Sequence, residues 1–207
     1  MPETFTPARP RKERDDGRAT RERILLTAAQ LATTEGLEGL SIGRLAEATG
    51  LSKSGVYAHF RSKEDLQLAT IDTANEIYAR EVLSFAEGPG SARSRLQALC
   101  DAQLSYTERR VFAGGCFFVS SMPEFRARPG RVRDRLGESL EDWLGFIVNL
   151  VEVAVREGSL PADTNATQLT FELTAVLEYA DLLFVLQDDR QALERARVAV
   201  AAMLPRR

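Results

Sequence analysis

Apolar residues recur at three- and four-residue spacing along most of the chain, and that rhythm breaks at glycines, prolines and capping residues. Ile24, Ala28, Leu31 and Ala32 form one such stripe and predict a first helix over residues 18–34, ended by Gly36. Two short helices follow. Ser41 is a good N-cap for the first, Leu45 and Ala46 are its inward positions, and Gly50 stands just past its end, where left-handed backbone costs glycine nothing. Ser52 caps the second, from Lys53 to about Phe60. Val56 and Phe60 lie four apart on one side of it, leaving Lys53, Ser54, Tyr57 and His59 for other faces. From Ser62 a long helix carries Leu66, Ala69, Thr70, Thr73, Ile77 and Tyr78 towards Phe85, and EGPGS (87–91) breaks it.

The second half reads the same way. Ser91 to about Arg109 places Leu96, Leu99, Cys100, Gln103 and Leu104 on one side. The apolar run FAGGCFFVSSMPEF (112–125) reads as a buried core segment or as the wall of a ligand pocket, since aromatic and aliphatic side chains line most small-molecule cavities. Arg131–Glu157 is a long amphipathic helix, stopped by Gly158 and Pro161. Asn165 or Thr164 caps a helix to about Gln187 that is apolar on nearly every side, so it needs cover from its own domain and from something else. A final helix spans 192–203. The expected fold class is all-α.

Two short helices joined by a glycine-containing turn match a helix-turn-helix, whose second helix enters the major groove of DNA. This divides the chain into an N-terminal arm (1–17), a three-helix DNA-binding domain (18–66) and a further helical region (67–207). The arm reads either as a leader without function or as a basic strand (Arg9, Arg11, Lys12, Arg14) that touches phosphates or the minor groove.

Charge alone does not point to DNA. The net charge is −3; residues 1–65 carry 11 basic and 10 acidic side chains, the remainder 16 and 20. The longest uncharged run, Val111–Pro123, is too short to span a bilayer, and the N-terminus has no apolar signal core, so no membrane association and a cytoplasmic location are expected. The two cysteines, Cys100 and Cys116, sit in apolar stretches and read as small buried thiols, with a redox pair as the alternative. A phosphate loop, zinc spacing and a nucleophile elbow are all missing from the sequence, and there is one histidine. No enzyme, metal or cofactor is expected.

TRERIL (20–25), EGLEGLSIGRLAEATGLSKSGVYAHF (35–60) and SKEDL (62–66) resemble the TetR family of bacterial transcriptional regulators, over about a quarter of the chain. Ala32 departs from the bulky aromatic usual there. The resemblance implies a homodimer paired through the last two helices, a palindromic DNA operator and a small-molecule effector. It places Ser41, Arg44, Ser52, Lys53, Ser54, Gly55, Tyr57, His59 and Lys63 at the DNA. Lys53 and Ser54 lie in the first turn of the recognition helix, Gly55 gives the backbone room to approach, Tyr57 and His59 match backbone-contacting positions, and Lys63 adds an ammonium to a helix N-terminus. For the effector the candidates are Tyr106, Phe117, Phe118, Met122, Trp143, Ile147 and Glu178. The expected function is a ligand-released repressor. The competing reading is a helical effector-binding or thiol redox-sensing protein whose helix-turn-helix is not used on DNA.

Overall fold

The computed structural model describes residues 11–205, with side chains from residue 16. Among them are nine α-helices, one 3-10 turn and no strand: α1 (Arg11–Glu35), α2 (Ile42–Thr49), α3 (Lys53–Tyr57), α4 (Lys63–Glu81), α5 (Ala92–Glu108), α6 (Phe117–Phe125), α7 (Arg131–Arg156), α8 (Ala166–Gln187) and α9 (Arg190–Met203). The 3-10 turn is Leu83–Glu87, between α4 and α5. No helix of the described residues is long and apolar enough to cross a membrane.

Local chemistry sets most helix ends. The hydroxyls of Ser41, Ser52, Ser62 and Ser91 each accept a hydrogen bond from the amide three residues on, which satisfies one of the free N–H groups of a first turn. Asn165 does the same for α8. Gly50 ends α2 at φ 70°, and its amide turns back onto the carbonyls of Ala46 and Glu47.

Four boundaries differ from the sequence reading. α1 begins at Arg11, so residues 11–17 of the expected arm are helical; Lys12, Glu13 and Arg14 are strong helix formers. Arg9 and the side chains of Arg11, Lys12 and Arg14, the basic strand expected at phosphates or the minor groove, lie outside the described residues. α3 stops at Tyr57, not Phe60, because the His59 amide bonds the Val56 carbonyl, three residues back, and tightens the last turn. α4 gives way after Glu81 to the 3-10 turn. The 117–125 stretch is a helix of its own, with Pro123 in its last turn.

The head is built on a small core: Ile24, Ala28, Leu37, Leu40, Leu45, Val56, Phe60 and Leu66 are all buried. α1 packs on α2 and α4, and α2 on α3. Ala32 is buried without a large side chain at that point. The back half packs α5, α7 and α8 together, with α9 laid along α8.

Two links join the halves. α4 runs from the head into contact with α7. α6 and the loop before it grip α1: the Gln30 amide donates to the Val111 carbonyl (2.7 Å), and the Gly114 amide donates to Thr33 Oγ1 (3.1 Å). Gly114 is pressed so closely on α1 that a Cβ there would lie 1.9 Å from the Thr33 carbonyl oxygen. Beyond it, the Glu124 carboxylate accepts from the amides of Leu37 (3.0 Å) and Glu38 (2.9 Å), in the turn just before α2.

Candidate nucleic-acid interface and ligand cavity

α3 is five residues long, and Val56 is its one buried side chain. Lys53, Ser54 and Tyr57 are exposed, Tyr57 by 62%. An aromatic ring left in water on a helix anchored by one valine is a surface shaped for a partner. Ser52 is occupied locally: its hydroxyl accepts from the Gly55 amide and lies 3.0 Å from Ser54 Oγ. Gly55 and His59 are half-buried beside this face. Lys53 extends past Gly43 of α2, its Cε 3.7 Å from where a Cβ would stand.

The other candidate basic groups are engaged within the protein. Arg44 clasps Glu35 with two guanidinium nitrogens, Nη2 at 2.7 Å and Nε at 2.9 Å from Oε1, and reaches Glu47 at 3.2 Å. The hydrogen bond from Arg44 holds the Glu35 carboxyl below its usual range. Lys63 donates to the backbone carbonyl of Glu38 and lies 3.3 Å from its carboxylate. Partial desolvation pushes the Glu38 carboxyl up, but hydrogen bonds from Gln67 and Lys63 outweigh it and leave it below the usual value. Ser62 caps α4, with Glu64 and Asp65 in the first turn, so the helix N-terminus beside Lys63 already holds anionic groups. In the free protein, Lys53 is the basic candidate of this face with its charge uncommitted.

Inside the back half, a cavity of about 350 Å³ lies between α4, α5, α6, α7 and α8. Tyr78 forms its aromatic hub, edge-on to Phe118 (5.7 Å between centroids) and Trp143 (5.5 Å). Phe118, Met122, Trp143 and Glu178 of the expected set line it. Tyr106, Phe117 and Ile147 do not. They are fully buried in the layer behind, where Tyr106 meets the far edge of Tyr78 at 5.6 Å. Helical periodicity cannot separate these two layers, since both face inward.

The sequence reading missed most of the polar lining. Arg135 donates to Asp72 (2.8 Å) and to Ser139 Oγ (3.3 Å), and Asn75 donates to the same hydroxyl (3.0 Å). Gln103 Oε1 and Thr174 Oγ1 are buried without a partner. Polar residues spread over four separate helices leave no local signature; beyond Glu178, only the periodic position of Gln103 hinted at them. Cys116 also lines the cavity. Burial pushes its thiol, and that of Cys100, up to about 12, so both stay protonated and unreactive at neutral pH. No disulfide joins them.

On the outside, Phe171, Tyr179, Leu182 and Leu186 of α8 form an exposed stripe with Val198 of α9. This is the face of α8 for which the sequence demanded a second cover.

Described residues that are helical throughout, with an exposed recognition helix in the head and a largely apolar cavity in the back half, define a ligand-sensing helix-turn-helix protein. Residues 24–70 match the model for bacterial regulatory proteins of the tetR family, and 92–200 match the tetracyclin repressor-like C-terminal domain. The chain belongs to the TetR family: it is a DNA-binding transcriptional regulator with a ligand-binding C-terminal domain, not an enzyme. It is 27% identical to the HTH-type transcriptional repressor BepR of Brucella suis over 75% of this chain and 76% of that protein. It is 36% identical to the regulator AcrR of Shigella flexneri, over 54% of this chain and 56% of that one. Among solved structures, a TetR regulator from Chloroflexus aurantiacus superposes with a TM-score of 0.85 at 30% identity, covering 91% and 95% of the two chains. AibR, solved with isovaleryl coenzyme A and operator DNA, shares the fold at 22% identity, TM-score 0.71, over 90% of this chain and all of that one.

Proposed function

We propose that the chain acts as a homodimeric repressor that a small molecule releases from a palindromic operator. The head, residues 18–66, binds DNA, and residues 67–207 sense the ligand and dimerise. The observation that carries the reading is α3: a helix with one buried side chain and Lys53, Ser54 and Tyr57 turned to solvent. Lys53 and Ser54, in its first turn, read base edges; Tyr57, His59, Gly55, Ser52 and Ser41 meet the phosphate backbone. Arg44 and Lys63 join only by exchanging Glu35 and Glu38 for phosphate.

The exposed stripe of α8 and α9 pairs with its own copy, which covers Leu182 and Leu186 and holds two α3 helices about 34–36 Å apart, one turn of DNA. Release needs a ligand with different affinity for the two spacings. α6 is the element suited to carry it. Phe118, Val119 and Met122 form part of the cavity wall, and Glu124, two residues past Met122, holds the turn that leads into α2. A regulator of this kind works in the cytoplasm, where the chromosome is.

A gel shift with DNA flanking the gene tests the reading. A sequence-specific shift that weakens with salt is expected, and Lys53→Ala with Tyr57→Ala should abolish it. An unchanged shift by the folded double variant would remove α3 from the DNA.

A further inference from the structure

The ligand's chemistry follows from which cavity groups are already paired and which are not. The one cation in the lining, Arg135, is bound to Asp72 at 2.8 Å and lies 3.6 Å from Glu138. The Asn75 amide and the Ser139 hydroxyl are bonded to each other. What remains are an amide oxygen, a hydroxyl that can accept or donate, and two carboxylates. Gln103 Oε1 is buried without a donor, on a residue 4% exposed, and Thr174 Oγ1 likewise on a residue 8% exposed. Glu178 and Asp142 stand on the exposed side of the same lining and, among the described residues, have no hydrogen bond or ion pair. Leaving Gln103 Oε1 bare in the interior is costly, so it awaits a donor, and the two carboxylates, opposed in the lining only by an Arg135 already bound to Asp72, favour a cationic one. The same lining carries the rings of Tyr78, Phe118, Trp143 and Phe146, which can hold a cation by its attraction to an aromatic ring.

From this geometry we infer that the effector is a protonated amine on an aromatic body, its ammonium donating to Gln103 and Glu178 and its rings packed against Tyr78 and Trp143. A carboxylate ligand is disfavoured, because it would face Glu178 and Asp142 with Arg135 already neutralised. This inference rests on the cavity being the effector site, and it adds the charge of the occupant.

The protein carries its own probe, since Trp143 is its single tryptophan and lines the cavity. Three molecules with one aromatic body and three charges serve as ligands: 3,3-diphenylpropylamine, 3,3-diphenylpropan-1-ol and 3,3-diphenylpropanoate. Titrations of full-length protein at neutral pH, read by Trp143 emission and repeated by calorimetry, should show the amine binding about tenfold tighter than the alcohol and the acid weakest. Glu178→Gln should weaken the amine about five- to tenfold and leave the alcohol within about twofold, which a merely structural role for Glu178 would not do. Equal binding of all three, or an amine affinity indifferent to both Glu178→Gln and Asp142→Asn, overturns the charge assignment and leaves the cavity as an effector site. Failure of all three to bind overturns the charge assignment and removes support for the site itself.

Discussion

The head and the back half solve opposite problems with the same helices. In the head the working side chains are those the core does not need. Val56 anchors α3, and Lys53, Ser54 and Tyr57 are left over, all within five consecutive residues. In the back half the proposed ligand contacts line a cavity among the packed helices. The cavity draws Asn75, Gln103, Phe118, Trp143 and Glu178 from five different helices. An external site can be changed residue by residue at little cost to folding. An internal one shares its rings and acceptors with the core, so stability and recognition move together.

Leu182→Asp puts a charge into the exposed α8 stripe without touching either core. The fold should survive, the dimer should dissociate at micromolar concentration in sedimentation, and operator affinity should fall about 10²-fold or more as two-headed binding is lost. A dimer that persists would place pairing elsewhere. Gly114→Ala forces a methyl towards the Thr33 carbonyl, where neither backbone can easily yield. A loss of about 3 kcal/mol in denaturant unfolding is expected, the upper end for overpacking. A neutral result would mean that the α1–α6 contact is looser than its geometry.

Lys53→Ala and Tyr57→Ala probe the external site. Each should weaken operator binding by about 1–3 kcal/mol and change unfolding free energy by no more than about 0.5 kcal/mol, measured in parallel by binding isotherms and chemical denaturation. A variant that loses both equally would contradict the division between core and surface. Glu124→Gln sits between the two regions. It replaces a carboxylate that accepts two backbone amides, so about 1–2 kcal/mol of stability should go, and ligand should release the operator less completely.

A smaller effect concerns pH. Asp181 is buried on α8, where its Oδ1 accepts from the Thr107 hydroxyl (2.7 Å) and the Cys116 amide (3.0 Å). Desolvation outweighs those bonds and raises its carboxyl above the usual 3.8. The folded protein therefore takes up this proton before the unfolded chain does. Relative to Asp181→Asn, stability should rise as pH falls through the raised value and level off below 3.8. The paired Glu38 acts in the opposite sense. Its depressed carboxyl gives stability above the unfolded value that is lost as acid protonates it.

Legibility followed distance along the chain. Ser41, Ser52 and Gly50 could be assigned as caps, and the α8 cap narrowed to Asn165 or Thr164, because each acts on an amide or carbonyl within four or five residues of itself. The recognition helix could be placed because its anchor and its free face share one turn. Four of the seven expected pocket residues line the cavity, whereas Tyr106, Phe117 and Ile147 belong to the layer behind it. Arg44 and Lys63 could be seen as basic, but not that Glu35 and Glu38 had already claimed them.

By itself the sequence determined eight of the nine described helices, most of their ends and the composition of the α3 face, because backbone hydrogen bonds and a 3.6-residue stripe act over short separations. Only the tertiary structure decided which inward residues enclose space and which fill it. It also decided which charges are spent inside the molecule, and that α6 touches both the cavity and the turn before α2. Those outcomes depend on how distant helices meet, and an apolar side chain carries the same local pattern whether it faces another side chain or an empty volume.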